Sequence, residues 1–257
     1  MKTRPGVGPE VVLLHGIPGS GATWDRVIAA LPPSVPLVVP DLLGFGASDR
    51  AIAIDDLHAE GQARRLQAVI DRLGLDRPVL VAHDFGGPVA LRLLMARPEG
   101  YGGLVLSATN AFADTPIPFP LSLTVTPVIG SFFGRLMFSR LALRGLCRRA
   151  ARLARVDTAT AVGDRRQARA IATIFHQSLL HLSDLYSPIQ SFLASVAVPT
   201  AVLWGERDPV FRVADGERTA AAIQGASLEV IEGCGHFIPI EAPQQMAATI
   251  EQIRRRS

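Results

Sequence analysis

Short runs of residues, apolar at nearly every position, punctuate this chain at Val11–Leu14, Leu37–Val39, Val79–Ala82, Leu104–Ser107, Ala201–Trp204 and Leu228–Ile231. A strand with one face in water alternates apolar and polar side chains, so uniformly apolar runs this short predict strands covered on both faces. Between them lie longer segments of helical period, at Ala22–Leu31, Leu57–Leu73, Gly86–Arg97, Val213–Ile223 and Pro243–Arg255. Such alternation predicts an α/β fold, a mostly parallel sheet wrapped by helices.

The alternation breaks between Asn110 and Val198. This stretch begins proline-rich, with Pro116, Pro118, Pro120 and Pro127, and then turns arginine- and alanine-rich with a helical pattern. It is too long for a loop inside a compact domain. The expected organisation is a core of residues 1–109 and 199–257 carrying an inserted helical cap of residues 110–198. No internal repeat is evident.

Composition narrows the function classes. The 257 residues are 48% hydrophobic, which suits a folded globular chain. Two cysteines, Cys147 and Cys234, are too few for a disulfide scaffold and lack metal-ligand spacing, so no metal and no cofactor is expected. The run Val11–Leu14 is too short for a secretory signal core, and Ile117–Phe133 carries three prolines and falls short of a membrane span. The expectation is a cytoplasmic protein without stable membrane insertion. The net charge of +3 includes an arginine cluster, Arg144, Arg148, Arg149, Arg152, Arg155, Arg165, Arg166 and Arg169. It reads first as a solvated helical face, with an acidic substrate or a membrane surface as the competing reading. Without a nucleic-acid fold motif or interleaved aromatics, no nucleic-acid partner is expected.

The strongest local motif is Val79-Leu80-Val81-Ala82-His83-Asp84-Phe85-Gly86-Gly87. A buried strand runs into a polar residue, then small residues, then a helix, which is the context of a nucleophile elbow with Ala82 and Asp84 in place of the usual glycine and serine. Three further motifs follow predicted strands: His15-Gly16-Ile17-Pro18-Gly19-Ser20, Trp204-Gly205-Glu206-Arg207-Asp208-Pro209 and Gly233-Cys234-Gly235-His236-Phe237. So does Asp41-Leu42-Leu43-Gly44-Phe45-Gly46-Ala47-Ser48-Asp49. All lie beyond strand C-terminal ends, where open α/β sheets build their sites.

On these motifs the chain resembles the α/β-hydrolase family, in the aspartate-nucleophile branch of epoxide hydrolases and haloalkane or haloacetate dehalogenases. The order Asp84, Asp208, His236 matches the family's nucleophile, acid and histidine. The resemblance implies backbone N–H groups of Ile17 and Phe85 as the oxyanion hole. Each residue also has a plainer reading: Asp208 suits a turn before Pro209, and Asp41 and Asp49 suit structural posts. His15 and His83 suit loop braces, Trp24 and Trp204 core packing. About ten residues precede the first motif, too few for the family's usual antiparallel strand pair. The sheet is therefore expected either to be trimmed to about six strands or to begin with a shortened remnant.

A carboxylate nucleophile changes the reaction. Asp84 is anionic near neutral pH and needs no base before it attacks. Against an ester it would form a reactive anhydride, whereas displacement at a saturated carbon gives a stable alkyl ester. His236, oriented by Asp208, would then activate the water that hydrolyses this ester. The expected partner is a small hydrophobic substrate with an electrophilic carbon. Dehalogenases resembling this layout carry a tryptophan or an arginine after the nucleophile, where this chain has Phe85, and region 110–198 has no tryptophan. Epoxide hydrolases use cap acids, and the candidates here are His176 and Tyr186 as a mixed pair, with His181 nearby; Tyr101 falls before a strand, away from the cap. The sequence thus favours an epoxide hydrolase yielding a diol, with a haloalkane or haloacetate dehalogenase as the alternative. A catalytically degenerate ligand-binding relative is the alternative of another class, and the intact set of three argues against it.

Overall fold

The fold is read from a computed structural model, which describes residues 1–48, 54–117, 119, 121–126, 128–139, 141, 142, 145 and 165–257. Strands β1 (Lys2–Arg4), β2 (Val11–Leu14), β3 (Leu37–Val39), β4 (Val79–His83), β5 (Gly103–Ser107), β6 (Thr200–Gly205) and β7 (Ser227–Ile231) form one seven-stranded sheet in the order β1-β3-β2-β4-β5-β6-β7. All neighbours are parallel except β1, which pairs antiparallel with β3 from Lys2 opposite Val39 to Arg4 opposite Leu37. Of the two expectations for the N-terminus, the six-strand sheet is wrong and the shortened remnant is right. Three residues suffice for an edge strand because β1 needs only one neighbour.

The uniformly apolar runs are the central strands, and β2 to β6 are buried at every position. Alternate residues feed two cores. Val12, Leu14, Leu80, Ala82, Leu104 and Leu106 pack on one face with helices Ala59–Leu73 and Gly86–Ala96. Val11, Leu13, Val79, Val81, Val105 and Leu203 pack on the other with helices Asp25–Ala30 and Pro243–Arg254. The edge strand β7 departs from the expected pattern, since most of its residues lie outside the core.

Helix boundaries follow local chemistry. The expected helix Leu57–Leu73 is split, because His58 is extended (φ −70°, ψ 160°) between helices Ile54–Leu57 and Ala59–Leu73. The longer of the two buries Ala59, Ala63, Leu66 and Ile70, a stripe at helical spacing, and stops at Gly74 in the left-handed conformation (φ 64°) that favours glycine. Helix Gly86–Ala96 is almost wholly apolar because it lies between the sheet and the cap. Within the inserted cap region, helices Gly130–Met137, Arg165–Leu180 and Leu182–Phe192 are described. The last packs on Gly86–Ala96, and Arg92 donates from the core to the Leu185 carbonyl at 2.9 Å. Asp49, Cys147 and the arginines from Arg144 to Arg155 lie outside the described residues. Among the described residues no helix is long and apolar enough to cross a membrane.

Connections from β2 and β4 run in opposite directions across the sheet, toward β3 and toward β5. This reversal leaves a crevice at the C-terminal ends of β2 and β4, where ligand sites of such sheets form. A second close approach occurs at the end of β6. A methyl group on Gly205 would come within 2.0 Å of the Gly235 carbonyl oxygen, which is backbone and cannot swing away. We therefore expect Gly205→Ala to cost about 1–3 kcal/mol of stability, read as a lowered urea midpoint. An unchanged midpoint would contradict this packing.

Candidate active site

Asp84 sits at the turn between β4 and helix Gly86–Ala96 with φ +52°, the left-handed region that a residue with a Cβ rarely occupies. Such a conformation costs of order 1–3 kcal/mol and must be held from outside. Three hydrogen bonds hold it: Asp84 N–H donates to Ser107 (3.1 Å), while its carbonyl accepts from Thr109 Oγ1 (2.6 Å) and Gly87 N–H (3.0 Å). The glycines after it make the tight turn possible. A Cβ on Gly86 would lie 2.4 Å from the Leu14 carbonyl oxygen, and one on Gly87 2.0 Å from Thr109 Oγ1. The helix therefore starts hard against the neighbouring strands, with Phe85 at its N-terminal boundary and its N–H groups directed at the site.

From the end of β2 comes the loop His15–Ser20. Its Ile17 N–H donates to Asp84 Oδ1 at 2.6 Å, and Gly16 is small because a side chain there would strike Asp84. Buried His15 clamps this loop as a neutral ring: Nδ1–H donates to the Gly16 carbonyl (2.9 Å), and Nε2 accepts from Leu42 N–H (3.0 Å). Burial pushes its pKa down, which keeps that arrangement. Asp41 ties two loops together by accepting from Gly21 N–H (2.7 Å) and Ala47 N–H (3.0 Å). The sequence reading of His15 and Asp41 as structural posts agrees with these bonds.

From the loops after β6 and β7 come Asp208 and His236. His236 Nδ1 is 2.9 Å from Asp208 Oδ2, and its Nε2 is 3.6 Å from Asp84 Oδ2, an ion-pair rather than a hydrogen-bond distance. The other Asp208 oxygen accepts from Val210 and Phe211 N–H at 2.7 and 3.1 Å. Glu241 braces the histidine loop on both sides, accepting from Gly235 N–H and Phe237 N–H, each at 2.9 Å. Burial disfavours charge on His236, but the flanking Asp208 and Asp84 override it and push its pKa up to about 10. Burial likewise pushes the Asp84 carboxyl up, and His236 together with Ile17 N–H more than offsets it, so the group lies below its ordinary value. His236 thus lies between the two carboxyl groups of Asp208 and Asp84, an arrangement that favours its cationic form. His83 packs its ring 5.0 Å from that of His236, and burial, then the charge of His236, pull it down to about 3. It is a neutral wall.

Above Asp84 lies a cavity of about 110 Å³, lined on the core side by Ile17, Phe85, Asn110 and Phe211 and on the cap side by Ile117, Ile174, Leu182 and Tyr186, among others. Tyr186 is buried, lines the cavity beside Asn110, and is raised above the ordinary phenol range by burial and by the Asp84 charge. The expected His176–Tyr186 pair is not formed. His176 is outside the cavity lining and lies beside Gly134 of helix Gly130–Met137, while His181 is exposed next to Asp184. The two helices meet at His181, and their relative rotation, which sequence spacing does not encode, turns Tyr186 but neither His176 nor His181 into the cavity. Tyr101 is bound elsewhere, donating to Gln67 at 2.6 Å. Asn110, Thr115, Ser178 and Phe211 were not anticipated; the one available clue was that Asn110 lies just beyond β5. Among the described residues no group of His, Cys, Asp and Glu is placed to hold a metal.

Residues 9–243 match the family model described as the alpha/beta hydrolase fold. The chain is 29% identical to haloalkane dehalogenase 2 of Mycobacterium tuberculosis over 95% of its own length and 87% of the relative's. It is 26% identical to the human monoacylglycerol lipase ABHD6, over 96% and 75% of the two chains. The structure of haloalkane dehalogenase DbeA from Bradyrhizobium elkani superposes with a TM-score of 0.79 at 20% identity, covering 99% and 94%. These relatives lean toward dehalogenases and ester-cleaving enzymes rather than toward epoxide hydrolases. Fold, motif order and family match agree: the chain belongs to the α/β-hydrolase fold family and is an enzyme of that fold.

Proposed function

We propose that this enzyme captures a small apolar substrate as an alkyl ester on Asp84 and releases it with water. The observation that carries the reading is the placing of the Asp84 carboxylate: the residue lines the cavity, Oδ1 is held by Ile17 N–H, and Oδ2 lies 3.6 Å from His236 Nε2. Oδ2 would attack the electrophilic carbon and expel the leaving group. Oδ1 would become the ester carbonyl oxygen, already seated where Ile17 N–H and the helix-start Phe85 N–H can stabilise an oxyanion. Removing such a donor costs on the order of 2.7–4 kcal/mol in the transition state. Water activated by His236 would then attack the carbonyl carbon, with Asp208 stabilising the imidazolium.

For the leaving group, the cavity favours an epoxide oxygen. Tyr186 is a buried phenol in the same cavity as Asp84, and its proton is needed when a C–O bond breaks and an alkoxide forms. The Asp84 anion raises the phenol pKa only while it is an anion. Burial is the larger cause of the raised pKa and persists, but alkylation removes the Asp84 charge, so the phenol becomes a stronger acid than in the free enzyme as the alkoxide develops. Haloalkane dehalogenation is the second reading, and the relatives support it better than they support the epoxide. Against it, Phe85 and Ile17 leave the cavity without two side-chain N–H donors for a halide.

Single turnover in heavy-oxygen water, followed by peptide mass spectrometry, should place label in Asp84. Label in product alone, with Asp84→Ala still active, would sink the covalent mechanism. A panel of epoxides and halides, read as diol against free halide, separates the leaving groups. Tyr186→Phe should lower epoxide turnover by roughly 10²-fold or more while sparing any halide release.

The pKa pattern predicts which step depends on pH. Asp84, held below its ordinary value, stays ionised through neutral pH, and His236 stays protonated up to about 10, so alkylation should be flat there. Once Asp84 is esterified its charge no longer supports the imidazolium, and the His236 pKa falls. Ester hydrolysis needs the neutral ring and should therefore speed up as pH rises across about 6 to 9. Rapid-quench measurement of the ester would check this; a hydrolysis rate that is flat or falling over that range contradicts it.

A further inference from the structure

We infer that the outer face of the cap docks on an anionic lipid surface. Six large apolar side chains in a short part of the cap are turned to solvent: Phe119 is 80% exposed, Val128 97%, Ile129 45%, Phe132 66%, Leu136 58% and Leu141 83%. Ile129, Phe132 and Leu136 recur at helical spacing along helix Gly130–Met137, so three of them form one stripe. The opposite side of this helix is already satisfied: Gly134 lies against His176, and Phe138, just past its end, is buried. A chain with two well-filled cores gains nothing from leaving such a stripe in water.

Charge identifies what covers it. Between Asp114 and Asp157 the sequence holds seven arginines and no acidic residue, and Arg135 is exposed beside the stripe. A stretch of sequence that combines exposed apolar side chains with arginines and holds no acid fits the boundary between acyl chains and anionic headgroups. A second copy docked stripe to stripe would bring Arg135 toward Arg135, like charge against like. The helix has only eight residues, so it would lie on the surface rather than cross it. The same segment reaches the substrate cavity, since Thr115, Pro116 and Ile117 line it. Docking would therefore place a segment that lines the apolar cavity close to apolar molecules dissolved in the lipid. This inference concerns delivery and is independent of the chemistry at Asp84.

The test is co-sedimentation with vesicles of phosphatidylcholine alone and of phosphatidylcholine mixed with phosphatidylglycerol. The wild type should sediment with the mixed vesicles and be released by salt. Phe132→Ser with Leu136→Ser should weaken binding by roughly tenfold or more, and Arg135→Glu should weaken it further. Both side chains are exposed, so the thermal midpoint of the double variant should match that of the wild type. Absence of binding to the mixed vesicles at low salt, or equal binding by the double variant, would overturn the inference. So would a dimer in light scattering that the double variant abolishes, which would mean that a second copy covers the stripe.

Discussion

A carboxylate buried without compensation would take up a proton and lose its nucleophilicity. Most of the architecture around Asp84 prevents that. The Ile17 N–H donates to one oxygen and His236 faces the other, so the charge is matched from two loops that belong to different parts of the sheet. Each of those loops has its own anchor: His15 and Asp41 for the first, Asp208 and Glu241 for the second. The left-handed backbone at Asp84 is the cost of bringing the group to this meeting point, and the bonds from Thr109, Gly87 and to Ser107 hold it there.

The central sheet was legible because burial on both faces leaves an unambiguous mark, a run with no polar alternation. The motif loops were legible because small residues are forced wherever backbone meets backbone, as at Gly86 and Gly87. Edges were not. Lys2, Thr3 and Arg4 carry no apolar pattern, and β1 exists only through its pairing with β3. The split at His58 was missed because helical period continues across it, and only its extended backbone separates the two helices.

The cap illustrates a different limit. His176 and Tyr186 were equivalent in sequence, both polar residues in helices of similar character. What distinguishes them is packing: the helix bearing Tyr186 lies on Gly86–Ala96 beside the elbow, while His176 meets helix Gly130–Met137. Composition identifies which donors a cap possesses. Only the rotation of its helices determines which donor reaches the substrate.

That single inward phenol changes the weighing of the leaving group. A halide departs as an anion and needs donors but no proton, whereas an epoxide oxygen departs as a strong base and needs both. A paired tyrosine site would divide that work between two hydroxyls. Here the one phenol is raised above its ordinary range by burial first and by the Asp84 charge second, and under the proposed mechanism alkylation would remove the second of these. Under that proposal, the charge shared between Asp84 and Tyr186 would link proton release to bond formation. A halide-releasing site would have no use for that coupling.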